Sequence, residues 1–506
     1  MEKYDVIIIG GGLGGLTSGA KLSKEGKKVL LLEQHSAAGG YATTFKRGDF
    51  NMEVSLHELD GLENEDSMTE IFKELEVFDR VKFVKIPEFY KFSSSRISIA
   101  IPDNTAQAKK ILLDKFPEDR RGIIKFFKTV HGISREFDRI PLQRWKFLLM
   151  LPLFPLICPK IFFNRNNTLG KFLDSITEND NLKLVLEANV GYYHDDPYSL
   201  SLLFFSLAQS SYYSGGAHYI KGGSQKLSNH LLGIIKKNGG EVLLGRLVSK
   251  IITKENMAVG VEYRKKTGRH NKIQKAFGQI IISNAAIPNV AHKLLDPPAS
   301  SIIKDKIKGL KNSCSILSIY FGFKKPVKDL GNRYYSTIIV PESLKKQSDW
   351  IKNFKNGYDR RGFFFVDYSQ VDSGLAPDGK SVGTISTLDY LYKWENLTKE
   401  EYKEKKERVA KIFIDRLDEE IPGIRSLIEH YEVGTPKTMQ RYTLNPGGSV
   451  YGYAQIPSQA GMNRLPNKSP VENLYFASAW AFPGGGFSAA IFSGYLCALE
   501  VLKNNK

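Results

Sequence analysis

The 506-residue sequence lacks several features that mark common classes of protein. It has only three cysteines, Cys158, Cys314 and Cys497, which lie far apart and form neither a metal-binding spacing nor a disulfide framework. We therefore expect that the protein has no metal site and that it is located in the reducing cytoplasm. No uninterrupted apolar run reaches the ~20 residues that a membrane-spanning helix requires, so we expect no such helix.

Signatures of other functions are also missing. No Ser-His-Asp arrangement or HExxH motif is evident. The sequence also lacks a dense basic tract with interleaved aromatic residues, so we expect no binding of nucleic acid. The formal net charge is nevertheless +18. Such a charge favours contact with an anionic membrane surface, although scattered lysines can equally reflect the compositional bias of a genome. The apolar run at residues 6–9 is too short for a secretion signal.

What the sequence does contain is a glycine-rich fingerprint at its start. Residues 6–9 predict a buried parallel strand, the run GGGLGG follows at residues 10–15, and residues 16–24 have helical character. A second apolar strand is predicted at residues 29–32 and ends at Glu33. Strand, glycine loop, helix, second strand and terminal acid together are typical of a dinucleotide-binding unit.

Each part of this fingerprint has a physical role. Gly10 permits a tight turn, Gly12 lets the backbone approach a pyrophosphate, and Gly15 allows close packing of the helix on the strand. The start of the helix presents free amides and a positive dipole end to the phosphates. Glu33 is placed to accept hydrogen bonds from both ribose hydroxyls. These features alone do not separate FAD from NAD.

A second group of glycines follows the acidic residue. Gly39 and Gly40 open the segment GGYATTF at residues 39–45. This resembles the flavoprotein pattern in which a glycine pair continues the FAD-binding surface beyond the ribose. The resemblance therefore favours FAD over NAD.

A third glycine-rich junction lies near the C-terminus. Residues 473–478 predict a strand, AWAFPGGG follows at residues 479–486, and residues 487–502 predict a helix. The start of that helix would stabilise negative charge on a reduced flavin ring. An ordinary glycine-rich helix cap is the alternative interpretation.

With these motifs, the chain resembles the superfamily of phytoene desaturases, carotenoid isomerases and retinol saturases, within the wider amine-oxidase-like flavoproteins. The likeness spans nearly the whole chain. It implies an α/β fold in which a Rossmann-like FAD-binding domain is assembled from discontinuous segments, with an inserted α+β substrate domain. We assign residues 1–95, 215–285 and 435–506 to the FAD-binding domain. We assign residues 96–214 and 286–434 to the substrate and membrane-docking domain.

The resemblance also implies which residues contact the FAD. These are Gly10, Gly12, Leu13, Gly14, Gly15, Glu33, Gly39, Gly40, Tyr41, Val248, Gly485, Gly486 and Phe487. Two positions depart from the family pattern. Ala479 stands where many relatives have an aspartate that binds the ribityl chain, and Tyr41 stands where many have arginine. Both departures argue against a close amine-oxidase role.

Between the fingerprints, the sequence predicts the elements of both domains. Residues 96–214 are expected to be largely helical, and residues 225–237 predict a helix that ends at a glycine cap. The predicted strands of the FAD-binding domain are residues 241–244, 247–252, 258–263 and 279–282. Those of an antiparallel substrate-domain sheet are residues 315–323, 335–340, 362–367 and 382–388, backed by a charged helix near residues 399–419.

The expected chemistry is that of a flavin enzyme acting on carbon–carbon double bonds of a long isoprenoid or polyene lipid, as a saturase, isomerase or desaturase. The Ser55-Leu56-His57 turn, Lys221 and the PGGSVYG segment at residues 446–452 resemble retinol saturases and favour the saturase and isomerase branch. His57 or Tyr219 could supply a proton, and Lys221 could balance flavin charge. Equally, His57 could be a packing or hydrogen-bonding residue, Tyr219 a wall residue, and Lys221 solvated.

Two other functions remain open at this point. One is a flavin amine oxidase, and the other is a non-catalytic carrier of prenyl groups with the same fold, such as the Rab GDP-dissociation inhibitors. The intact glycine fingerprints count against a carrier, because a carrier need not keep a flavin site. No second dinucleotide fingerprint is evident, so the electron donor or acceptor is unknown.

One segment predicts contact with a membrane. Residues 145–163 read WKFLLMLPLFPLICPKIFF, and Pro152, Pro155 and Pro159 exclude a regular helix. With basic residues on both sides, we interpret the segment as a monotopic dock that enters one leaflet and opens towards a substrate tunnel. A buried lid or core segment is the alternative. The predicted location is therefore cytoplasmic, with peripheral membrane association.

Overall fold

The computed structural model describes residues 3–63, 66–141, 144–267 and 272–504. Two seven-stranded sheets dominate these residues. One is built around parallel strands and carries the glycine-rich loops, and the other is almost wholly antiparallel. The predicted α/β fold with an added α+β part is therefore confirmed.

The first sheet draws on three separate parts of the chain. Its parallel strands are, in spatial order, Glu241–Leu243, Val29–Leu32, Lys3–Ile9, Gln274–Ser283 and Leu474–Phe476. Met257–Lys265 and Arg246–Lys254 extend it as antiparallel strands. Ile7, Ile8 and Leu31 are inaccessible to solvent, as apolar runs of a sheet covered on both faces should be.

Three helices pack together on this sheet: Leu13–Lys24, Gln225–Lys237 and Phe487–Asn504. The first begins directly after the glycine run, and the third begins directly after the C-terminal glycines. Helix Gln225–Lys237 has the predicted bounds. Strand Gln274–Ser283 is longer than the predicted residues 279–282, because its polar first half pairs with Met257–Lys265 instead of lying in the parallel core.

The second sheet contains, in spatial order, Ile428–Gly434, Ser315–Phe323, Ser381–Asp389, Phe363–Asp367, Ser336–Ile339, Tyr90–Ser93 and Ser98–Ile101. All neighbours are antiparallel except Ser336–Ile339 and Tyr90–Ser93. Helix Lys399–Glu420 covers one face, with Phe413 and Leu417 in a core shared with Phe321. Tyr90–Ser93 thus pairs within this sheet, although it belongs to the predicted segment 1–95.

Most of residues 96–214 are helical, as expected. The helices are Thr105–Lys115, Arg120–Phe137, Arg144–Met150, Phe154–Ile157, Pro159–Asn164, Leu169–Asp174, Asp180–Leu186 and Leu202–Gly215. The prolines of residues 145–163 divide that segment into short helices joined by a tight turn at Leu151–Leu153. Within the described ranges, no helix is long and apolar enough to cross a bilayer.

Shorter elements connect these layers. The remaining helices are Ser67–Glu74, Val77–Arg80, Ile287–Asn289, Ala299–Ile307, Trp350–Lys355, Ile424–Leu427 and Pro436–Thr443. Two small sheets pair Thr44–Arg47 with Phe50–Glu53, and Ala217–Ile220 with both Leu59–Asp60 and Phe83–Lys85. The second small sheet places the His57 turn beside the helical region.

Candidate active site

A cavity of about 1940 Å³ lies where the glycine-rich loops of the first sheet meet the second sheet and the helical region. All predicted cofactor contacts except Gly15 line it: Gly10, Gly12, Leu13, Gly14, Glu33, Gly39, Gly40, Tyr41, Val248, Gly485, Gly486 and Phe487. Gly15 lies behind the cavity, where a Cβ atom would overlap the carbonyl oxygen of Gly10. Its role is the close packing of helix on strand.

One end of the cavity is a set of backbone donors. Gly12 N donates to Asn284 Oδ1 at 3.0 Å, and Asn284 Nδ2 donates to the Ala477 carbonyl at 2.6 Å, so Asn284 joins the first and last fingerprints. Helix Leu13–Lys24 has no side-chain cap at Gly12, which leaves its first amides available to an anion.

Glu33 closes the same end. It is buried, and its two carboxylate oxygens accept hydrogen bonds from Gly11 N at 2.7 Å and His35 N at 2.8 Å. Gly10, with φ +95°, forms the turn that a side chain would strain. Uncapped amides, glycine backbone and a buried acid fit the diphosphate and ribose of a dinucleotide.

The C-terminal glycines line a second part of the cavity. Gly485 has φ +114°, and a Cβ atom at Gly486 would meet open space. Behind this loop lies the buried Arg464, whose guanidinium donates to carbonyl oxygens, among them those of Tyr453 at 2.8 Å and Ala479 at 2.6 Å. Burial lowers the pKa of Arg464 to about 9, so it stays charged at neutral pH. It thus places a positive charge beside the loop.

His57 lies in the wall of the cavity and is buried. Its Nδ1 is 3.0 Å from the Tyr192 hydroxyl, and its Nε2 is 3.2 Å from the Ser386 hydroxyl. Burial lowers the pKa of His57 to about 4. The imidazole is therefore neutral at physiological pH and has hydroxyl partners at both nitrogens, as in the hydrogen-bonding alternative for this residue.

Tyr219 and Lys221 are not brought to the cavity. Tyr219 is wholly buried and donates a hydrogen bond to Glu53 Oε2 at 3.2 Å. Glu53 also accepts from the backbone and hydroxyl of Ser224, so these contacts hold the turn before helix Gln225–Lys237. Lys221 forms an ion pair with Asp372 beside a separate surface pocket. These contacts hold both side chains away from the cavity. A linear motif does not reveal such tertiary contacts.

Two lining residues were missed by sequence reasoning. Glu58 and Gln455 are buried, and neither of their side chains has a hydrogen-bond partner among the residues that the structure describes. Glu58 directly follows the predicted His57, so the sequence indicated the turn but not this side chain. Gln455 follows the PGGSVYG segment, which could have directed attention to it.

The sequence was also compared with known proteins. A family model described as flavin containing amine oxidoreductase matches residues 13–502. The chain belongs to this family. Its site is therefore that of a flavin-dependent oxidoreductase, and the predicted flavin enzyme is confirmed.

Within this family, the chain is similar to two kinds of curated relative. It is 27% identical to the chloroplastic prolycopene isomerase of Daucus carota, over 99% of this chain and 80% of the relative. It is 26% identical to the all-trans-retinol 13,14-reductase of Danio rerio, over 100% of this chain and 87% of the relative. The predicted resemblance to carotenoid isomerases and retinol saturases is confirmed.

Solved structures show the same fold. Cyclohexylamine oxidase from Brevibacterium oxydans superposes with a TM-score of 0.64 at 16% identity, and the match covers 99% of each chain. At that identity the likeness concerns the fold of these flavoproteins. The substrate has to be inferred from the lining of the cavity.

Proposed function

We propose that the protein is an FAD-dependent enzyme that reduces or isomerises carbon–carbon double bonds of a long polyene or isoprenoid lipid. The observation that carries this proposal is the continuous cavity of about 1940 Å³, which extends from Glu33 to an aromatic chamber. Small-molecule sites commonly measure about 300–1,000 Å³, so this one has room for a dinucleotide-sized cofactor and a long second molecule.

The chamber beyond the C-terminal glycines suits a polyene. Its wall includes Tyr192, Tyr193, Phe204 and Tyr212. Aromatic faces pack well on a flat conjugated chain. The curated relatives named for prolycopene and all-trans-retinol support a polyene as the substrate.

Within this proposal the cofactor is FAD. Glu33 would bind the ribose, the amides at the start of helix Leu13–Lys24 the diphosphate, and Gly485 and Gly486 the ring. Bound FAD supplies two-electron chemistry at the double bond. Arg464 holds positive charge near the ring and His57 stays neutral, while the closely packed Tyr192 and Phe364 rings help exclude water.

The test uses purified protein. Released flavin is identified by chromatography, and the photoreduced protein is mixed anaerobically with all-trans-retinol or prolycopene. Reoxidation of the flavin with loss of a double bond supports a reductase, and conversion of isomers while the flavin stays reduced supports an isomerase. Reduction of the oxidised flavin by amines, with both polyenes unchanged, would identify an amine oxidase instead. Protein that binds no flavin would support the carrier.

We also propose peripheral attachment to an anionic membrane on the cytoplasmic side. Six large apolar residues, which we call the leucine-rich patch, are exposed to solvent: Leu148, Leu149, Leu151, Leu153, Leu156 and Phe163. The most exposed are Leu149 and Leu156, at 71% and 79%. The exposed Lys146 and Arg165 flank the patch, and basic residues beside an apolar surface favour anionic lipid.

The position of this patch suggests how substrate enters. Phe147 lies next to the patch in sequence and lines the cavity, as do Phe137 and Ile140. A lipid taken up at the leucine-rich patch would reach the cavity without crossing water. We also propose that the FAD-binding and substrate domains are divided at residues 95, 214, 285 and 434. The proposal further includes an electron donor or acceptor outside this chain.

A further inference from the structure

Glu58 is a buried acid that has no ion-pair or hydrogen-bond partner among the described residues. Its exposed fraction is 8%, it lines the cavity, and both carboxyl oxygens lack a hydrogen-bond partner within the described part of the chain. An unpartnered polar group in an apolar site is costly, because burial removes its water without replacement. Such a group is retained where a bound molecule uses it.

The surroundings of Glu58 oppose a negative charge. Burial raises the pKa of Glu58 well above its usual range, and the negative charges of Glu88, Asp60 and Asp103 raise it further. Burial also raises the pKa of Glu88 to about 7. Asp103 forms an ion pair with Lys85 at 2.5 Å. Burial and the nearby like charges therefore favour the neutral form of Glu58, in which its O–H group can donate.

The other acids and bases near the chamber are less suited to this role. His57 is neutral and its ring nitrogens already face the hydroxyls of Tyr192 and Ser386. Tyr219 lies outside the cavity, bonded to Glu53. Glu58 combines a carboxyl group without a hydrogen-bond partner among the described residues, a place in the cavity wall and surroundings that favour its neutral form.

We propose that the Glu58 carboxyl group donates a proton to the polyene in this cavity, an inference that rests on the proposed function. In reduction, the Glu58 O–H bond breaks and a C–H bond forms at one alkene carbon. The neighbouring carbon receives a hydride equivalent, with its electron pair, from the reduced flavin. Water then returns a proton to the carboxylate. In isomerisation the same proton is added, the bond rotates and Glu58 takes the proton back.

The test compares Glu58→Gln with the wild-type protein in the anaerobic assay with all-trans-retinol and prolycopene. Glutamine keeps the shape but cannot donate as an acid, so the first-order rate should fall by about 100-fold or more. The KM for the polyene and the visible spectrum of the flavin should stay unchanged. Glu187→Gln is the matched control, because Glu187 is also buried with a raised pKa but does not line the cavity.

A second readout does not depend on turnover. The infrared difference between wild-type and Glu58→Gln protein at neutral pH should contain the carbonyl band of a protonated carboxyl group, and this band should shift when all-trans-retinol binds. Absence of the band would overturn the proposal. So would a Glu58→Gln variant that turns over either polyene at the wild-type rate.

The assay distinguishes failure of the proposed role of Glu58 from failure of the proposed function. Wild-type protein that binds flavin but changes neither polyene overturns the proposed function, and the role of Glu58 falls with it. Wild-type protein that turns over a polyene, with an equally active Glu58→Gln variant, overturns the role of Glu58 alone.

Discussion

Gly494 packs directly against Gly14, so that a Cβ atom at Gly494 would overlap the Gly14 carbonyl oxygen. This contact joins helix Phe487–Asn504 to helix Leu13–Lys24, which starts at the predicted diphosphate site. The first and last helices of the chain therefore meet at two glycines, Gly14 and Gly494. Their closeness positions both glycine-rich loops around one cavity.

Replacing Gly494 with alanine should separate these helices. We expect a loss of about 1–3 kcal/mol in stability, because an added methyl group has no space, together with reduced flavin occupancy. Thermal unfolding and the flavin absorbance of the purified variant measure the two effects. Gly233→Ala is the control, since it lies exposed in helix Gln225–Lys237 with open space around it and should stabilise the protein slightly. Full flavin content in Gly494→Ala would contradict the claim that close packing of the two helices is needed for flavin binding.

Glu33→Gln should weaken FAD binding. The amide would present a donor to Gly11 N or His35 N, which are themselves donors, and it would lose the charge that strengthens bonds to ribose hydroxyls. We expect a 10- to 100-fold higher Kd, from about 1.5–3 kcal/mol for hydrogen bonds to a charged group. Titration of apoprotein with FAD, followed by fluorescence, measures it. Glu262→Gln, which removes a surface ion pair with Lys275, should bind as the wild type does.

His57→Gln should change how stability depends on pH. The folded pKa of about 4 lies below the unfolded value of 6.5, so the unfolded chain binds more protons between these values. Stability from neutral His57 is complete above pH 6.5 and declines as the pH falls towards 4, by about 3 kcal/mol.

The variant lacks this titration, so the difference in unfolding free energy between it and the wild type should shrink over that window. Denaturant unfolding at several pH values between 4 and 7 measures the difference. The exposed His292→Gln serves as the control and should follow the wild type. A constant difference between His57→Gln and wild type would show that His57 does not titrate as described.

Substitution of Leu149 and Leu156 by glutamate should release the protein from membranes. Each leucine that enters the lipid contributes about 1.5–3 kcal/mol, so the double variant should bind at least 100-fold more weakly. Sedimentation with vesicles containing phosphatidylserine measures binding, and the flavin spectrum should not change. Tyr431→Glu, at an exposed position on an edge strand, is the control. Undiminished sedimentation of the double variant would contradict membrane docking by the leucine-rich patch.

The elements that sequence reasoning predicted well share one property: their signals are local. The strand at Val29–Leu32, the helix Gln225–Lys237 and the strand Ser315–Phe323 have the predicted bounds, because apolar periodicity and glycine caps act over a few residues. Strand Gln274–Ser283 was predicted too short, since its polar half is held by a neighbouring strand and not by its own hydrophobicity.

The residues of the candidate site likewise fall into those that local sequence patterns predict and those that they do not. Glycine loops and a terminal acid have fixed geometric roles, so Gly10, Gly12 and Glu33 could be identified from spacing, and they lie at the cavity. The side chains of the chamber follow no such pattern. Lys221 resembled a functional position but forms an ion pair with Asp372. Glu58 matched no motif, yet it lines the cavity and has no hydrogen-bond partner among the residues that the structure describes.

The sequence by itself determined the glycine-rich loops and the kinds of layer that the chain builds, because these depend on local backbone conformation and hydrophobic period. The resemblance of its motifs to known flavoproteins added the family. Only the tertiary structure decided which side chains face the substrate chamber. Two sheets and a helical region from distant parts of the chain surround that chamber. Their packing brings Glu58 to the wall, where its carboxyl group has no hydrogen-bond partner within the described ranges, and it turns Tyr219 and Lys221 away.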